Sequence, residues 1–160
     1  MKKIIPVFVG ILLSVCSIHA QQIVRVENAK YFDANHNLYN GAYIENYENG
    51  NIKLEMYLKN GEKDSTTLIY YEDGKLKEML SFKMGLMHGQ WESYNPQGIK
   101  TSEAFYYNDK KDGTWNIWND QGKLIYEMHY KNGEKCGRWI IYKPNGEILN
   151  ERTYTLSCSE

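Results

Sequence analysis

The stretch "DGTWNIWNDQG", residues 112–122, decides the fold once it is compared with the rest of the chain. Moving 24 residues back from Gly113 gives "GQWESYNPQG" from Gly89, and moving 24 forward gives "GRWIIYKPNG" from Gly137. The same frame reaches back to Ser65 and Gly41, so five copies follow one another without an insertion. A repeat with a fixed interval this short specifies a stacked array of identical units, in which neighbours supply each other's packing.

Nine residues after each starting position stands a second glycine, Gly50, Gly74, Gly98, Gly122 and Gly146, preceded by "YEN", "YED", "NPQ", "NDQ" and "KPN". These are tight turns ending in a residue that needs positive φ, which glycine adopts without a steric cost. A second turn lies eleven residues further on, in "KNGEKD", "KMGLMH", "NDKKD" and "KNGEKC". The segments between turns are six to nine residues long and rich in Tyr, Trp, Ile, Leu and Met. They are strand-sized and bounded by turn chemistry on both sides.

Each unit is therefore one β-hairpin, and the chain is expected to be all-β, a single extended antiparallel meander of five 24-residue repeats over residues 41–155. The expected strands are 41–48, 51–59, 65–72, 75–83, 89–95, 99–107, 113–119, 123–131, 137–143 and 147–155. Residues 31–40 read as a capping strand and turn, and residues 21–30 and 156–160 as tails. By simple alternation Ile52, Leu76, Leu124 and Ile148 share a face with Leu58, Phe82, Tyr106, Tyr130 and Tyr154. Tyr43, Trp91, Trp115 and Trp139 form a second apolar column with Ile69, Ile117 and Ile141.

The start "MKKIIPVFVGILLSVCSIHAQQ" has two lysines, an apolar run from Ile4 to Cys16 and a small residue at Ala20. It reads as a secretory signal over residues 1–20, cut after Ala20, its apolar run being too short and interrupted by Pro6 for a spanning helix. The alternative is a lipoprotein signal, with "LSVC" ending in a lipidated Cys16. Cleavage removes two of the 19 basic residues and none of the 20 acidic ones, leaving a net charge of −3. That balance offers nothing to nucleic acid. Cys136 and Cys158 remain, in an oxidising compartment where a disulfide between them is permitted.

The run "KDGTWNIWNDQGKLIYEMHYKNGEK", residues 111–135, resembles the MORN-repeat variant of YwqK-like bacterial proteins, a group labelled as antitoxins of toxin–antitoxin pairs. The resemblance spans about residues 41–155. It implies a sheet of repeated hairpins and a role in binding or scaffolding. The copies drift from the pattern at Ser65, Thr67, Met79 and Lys100.

No reaction is suggested by the residues. His36, His88 and His129 lack metal-site spacing, and there is no Cys-x-x-Cys, nucleophile elbow or phosphate loop. The chain is expected to be no enzyme and to need no cofactor or metal. The acidic column Glu55, Glu103, Glu127 and Glu151 reads as cross-strand pairing. The aromatic residues Trp91, Trp115, Trp139, Trp118, Tyr94 and Tyr142 are the candidate binding residues, either packing the curl of the sheet or gripping a ligand. The expected partner is another protein, met by the sheet face or by the final strand, whose edge Glu147, Glu151 and Arg152 protect only in part. A glycan or envelope component on the aromatic ladder is the second expectation.

Overall fold

A computed structural model describes residues 25–158. Among these residues there is no helix, and the chain folds as the expected antiparallel meander. Following the chain, the strands are β1 (Arg25–Glu27), β2 (Lys30–Phe32), β3 (Gly41–Asn46), β4 (Ile52–Lys59), β5 (Glu62–Lys63) and β6 (Ser65–Tyr70). Then come β7 (Leu76–Lys83), β8 (Leu86–Tyr94), β9 (Lys100–Tyr107) and β10 (Lys110–Lys111). The last four are β11 (Gly113–Trp118), β12 (Leu124–Lys131), β13 (Glu134–Tyr142) and β14 (Ile148–Thr153). One sheet runs in sequence order from β3 at one edge to β14 at the other, with β5 and β10 as short continuations beside β4 and β9.

Turn chemistry sets this order. Gly50, Gly74, Gly98, Gly122 and Gly146 all have positive φ, between 74° and 88°. The other turn of each unit has positive φ at both central residues, in Asn60-Gly61, Met84-Gly85, Asn108-Asp109 and Asn132-Gly133. That is the type I′ geometry whose twist suits a two-residue hairpin. The turns also tie unit to unit: the N–H groups of Gly61, Gly85, Asp109 and Gly133 donate to the carbonyls of Tyr39, Lys63, Met87 and Lys111.

Simple alternation fails at one place in each unit. Asn46 pairs with Ile52 but Glu45 with Leu54, so Lys53 is an extra residue; Lys77, Thr101, Ile125 and Leu149 repeat this bulge. A bulge shifts every later side chain of that strand to the other face. Ile52, Leu76, Leu124 and Ile148 consequently lie on the face opposite Leu58, Phe82, Tyr106 and Tyr130, which corrects the single column expected from parity.

The expected tails are structured as well. Residues 25–32 form a hairpin of their own through Asn28 and Ala29, both at positive φ. Tyr31 then takes the place that Leu58, Tyr106 and Tyr130 hold beside the next unit. Its carbonyl accepts the Tyr39 N–H, where Leu58 pairs with Lys63, Tyr106 with Lys111 and Tyr130 with Lys135. With Tyr43 and Leu54 it packs on the buried Tyr39, Met56 and Leu58, the main apolar cluster of the described residues. At the far end Cys158 forms a disulfide with Cys136, Cα atoms 5.4 Å apart, and Leu156 accepts the Gly137 N–H.

Candidate functional site

A one-layer sheet has two wet faces, and the register divides the chemistry between them. The six candidate aromatics fall three to each. Trp91, Trp115 and Trp139 pair with Ala104, Met128 and Arg152 on one face, while Tyr94, Trp118 and Tyr142 pair with Lys100, Leu124 and Ile148 on the other.

On the first face the tryptophans interleave with residues of the second strand of each unit. Phe82, Trp91, Tyr106, Trp115, Tyr130, Trp139 and Tyr154 make one continuous ladder, with centroids 4.9–5.4 Å apart and rings tilted by 51–63°. Tilted and edge-to-face contacts suit the ring quadrupoles. The indoles are held by their N–H groups: Trp91 donates to the Ser81 carbonyl at 2.9 Å, Trp115 to Phe105 at 3.0 Å and Trp139 to His129 at 2.9 Å. Gly89, Gly113 and Gly137, at φ of 95°, 78° and 55°, interrupt the backbone ladder opposite these carbonyls. Burial pushes the Tyr106 and Tyr130 hydroxyls up from their ordinary pKa.

Lysines cap the rings. Lys63 lies 4.8 Å over Phe82, Lys111 lies 4.2 Å over Trp115 and 4.9 Å over Tyr130, and Lys135 lies 4.4 Å over Trp139. Arg152 adds a guanidinium 5.1 Å from Tyr154. These are cation–π placements. Sequence reading missed the lysines, although their own spacing of 24 or 48 residues carries the signal. At the C-terminal end the face forms a groove of about 340 Å³, lined by Tyr126, Met128, Lys135, Trp139, Arg152 and Tyr154 among others.

The opposite face carries the glutamate column. Glu55, Glu92, Glu103, Asn116, Glu127 and Glu151 fall on one cross-strand line, interrupted by Leu68, Met79 and Ile140. Their partners are chiefly tyrosines and bases. Tyr70 donates to Glu55, Tyr94 to Glu92 at 2.6 Å and Tyr142 to Glu127 at 3.0 Å. Lys100, the departure from the repeat pattern, bridges Glu92 and Glu103, and Arg138 pairs with Glu151. His129 lies between Thr114 and Glu127. Asn116 Oδ1 is buried with no hydrogen-bond partner among the described residues.

Titration follows from these contacts. Burial, then the hydrogen bond to Glu55, pushes the Tyr70 hydroxyl up to about 12. Burial works against ionisation of Glu92, but the hydrogen bonds from Lys100, Tyr94 and Gln90 outweigh it, and the carboxyl stays below its ordinary value. Lys100 is likewise burdened by burial and held above its ordinary value by the two glutamates. Among the described residues no group of three or more His, Cys, Asp or Glu is placed to hold a metal ion. No helix among them is long and apolar enough to cross a membrane.

The free edge completes the site. All six residues of β14 are exposed, and the bulged Leu149 is 61% exposed. Tyr154 N–H donates inward to Gly137, so alternation turns the Thr153 and Glu151 amides outward. Consistent with that, Glu151 N–H donates to the side chain of Asn150 rather than to β13.

The profile of the MORN repeat variant family matches residues 39–60, 63–84, 111–132 and 135–155, together more than half of the chain. The interval between the second and third matches folds as β8 and β9, a hairpin with the same bulge. No curated protein matches the chain.

Proposed function

The chain belongs to the MORN repeat variant family, and from that premise we propose that it is an exported, non-enzymatic module that binds another protein through the C-terminal edge of its sheet and the adjoining aromatic face. The observation that carries this reading is β14. An edge strand with all its residues exposed, beside a groove floored by Trp139 and Tyr154, offers an incoming strand both backbone partners and an apolar pocket. A non-catalytic role is supported by the glutamate face, where the carboxylates hold neighbouring side chains. Export is supported by the signal-like residues 1–20, which lie outside the described residues, and by the Cys136–Cys158 disulfide. The mature chain is expected to start at Gln21; mass spectrometry finding a diacylated Cys16 instead makes it a lipoprotein.

A glycan on the ladder is disfavoured by geometry. Sugars stack on open, flat ring faces, whereas these rings are tilted against one another and Lys111 and Lys135 occupy the faces. A toxin is the partner class that the YwqK-like resemblance adds.

The test is capture of partners from the native organism by the mature protein and by a Thr153→Pro variant. Proline there removes an outward donor and leaves the β13 pairing intact. Edge binding predicts loss of capture with an unchanged melting temperature, and new hydrogen-exchange protection over residues 148–153 in the complex. Equal capture by both proteins removes the edge from the interface.

A further inference from the structure

The aromatic face is not electrically uniform. Its N-terminal half carries Glu78, Glu45 paired with Lys53, and Lys63 over Phe82, so the charges there balance in number. Its C-terminal half carries Lys111, Lys135 and Arg152, none of which has a carboxylate partner among the described residues. The bases of the other face contrast with them, since Lys100 and Arg138 are each paired with glutamate. Positive charge has thus been placed over apolar rings and left uncompensated, on a surface that also contains the groove at Trp139 and Tyr154.

Spacing then restricts what can sit there. Lys111 and Lys135 occupy the same place in successive units, two strands apart, which is roughly 9–10 Å at ordinary strand spacing. The row crosses the strands along the ladder. A polyproline II segment advances about 9.3 Å per three-residue turn, so every third side chain faces the same way. The match is one carboxylate per unit of the sheet. A polyproline II chain also arrives already extended, with little conformational entropy left to lose, and docks on aromatic-lined surfaces.

From this register we infer that the C-terminal half of the aromatic face binds a polyproline II segment of a partner protein bearing an acidic residue at every third position. Successive carboxylates meet Lys111 and Lys135; Arg152, on the adjoining strand opposite Trp139, lies outside that register and adds positive charge at the C-terminal end of the row. Intervening prolines lie against the edges of Trp115, Tyr130 and Trp139, and the segment ends over the groove beside Tyr154. In the other half Glu45 and Glu78 are balanced in number by Lys53 and Lys63, so no net positive charge draws the segment there. The inference rests on the protein-binding reading above and assigns that interface its chemistry.

The probe is a synthetic peptide of four Pro-Pro-Glu triplets, titrated into the disulfide-intact mature protein with tryptophan fluorescence and calorimetry as readouts. Two controls share its length: four Pro-Pro-Lys triplets, and a peptide with the same four glutamates gathered at one end. The triplet peptide is expected to bind about tenfold more tightly than either control at physiological salt, and to weaken as salt rises. Lys111→Met with Lys135→Met is expected to abolish that preference, while Lys59→Met, outside the row, leaves it unchanged. Circular dichroism melting verifies that the double variant is folded; should it not be, Lys135→Met alone is expected to lower the preference.

Equal affinity for the spaced and clustered peptides overturns the inference, as does a preference that survives loss of both lysines. Binding to phosphatidylglycerol vesicles without binding to peptide overturns it in favour of an anionic surface. No peptide binding beside intact partner capture leaves the protein-binding reading standing and removes this one; loss of both removes both.

Discussion

Ser65 has φ of 87° at the position where the other four copies have glycine. A side chain there is strained, so Ser65→Gly is expected to stabilise the protein by about 1 kcal/mol in urea unfolding. The reverse experiment is Gly122→Val. Its φ is 74°, and a Cβ would meet Ile99 Cγ2 at 3.2 Å, so a loss of about 1–3 kcal/mol is expected. Glu92 makes a prediction about pH. Its carboxyl titrates below the ordinary 4.5, held there against burial by Lys100, Tyr94 and Gln90. The stability it contributes is complete above that ordinary value and is lost as pH falls through the depressed folded one. Melting temperature should therefore drop on acidification below about pH 4.5, and more shallowly in Glu92→Gln. A sequence reader sees the exception at Ser65 but not its φ, and sees Lys100 as misplaced until the register sets it between Glu92 and Glu103.

At the scale of the element, β14 has a weak claim to stay in the sheet, because it is fully exposed and pairs on one side only. The disulfide compensates by closing the chain around it, from Cys136 in β13 to Cys158 beyond β14, 22 residues apart. Cys158→Ser is expected to cost about 3 kcal/mol, read by urea unfolding. Hydrogen exchange over residues 148–153 should rise first, since the strand keeps only its pairing with β13. The strands and turns were legible in the sequence because turn glycines and aromatic columns repeat without an insertion. Element bounds moved by a few residues, as at β8 and β13, which start at Leu86 and Glu134. The bulge was not legible: it adds no marker residue, being Lys53, Lys77, Thr101, Ile125 and Leu149 in turn, yet it moves Ile52, Leu76, Leu124 and Ile148 to the face opposite the rest of their column. The six aromatics occupy two surfaces for a simpler reason: Trp91 and Tyr94, Trp115 and Trp118, and Trp139 and Tyr142 are three residues apart on one strand, and alternation puts them on opposite faces.

At the scale of the whole molecule, a repeat sheet has a directional order, with the second strand of each unit pairing to the first strand of the next. β14 thus presents the surface that a first strand recognises, and β3 is a first strand. The columns agree: Glu151 would face Ile44 of another copy as Glu127 faces Ile140, and Tyr154 would meet Tyr43 as Tyr130 meets Trp139. Identical copies joined in this way form an open, non-closing chain. What stands against it is Tyr31, which already fills the ladder position beside Tyr43, 6.4 Å away. The N-terminal hairpin therefore acts as a chain terminator, giving the molecule one live end and one dead end. Deleting residues 25–32 is expected to produce concentration-dependent fibres that the full-length mature protein does not form, seen by light scattering and electron microscopy, with Thr153→Pro suppressing them. If the truncated protein remains monomeric and folded, β14 is unable to accept its own first strand, and its open end is reserved for a different chain.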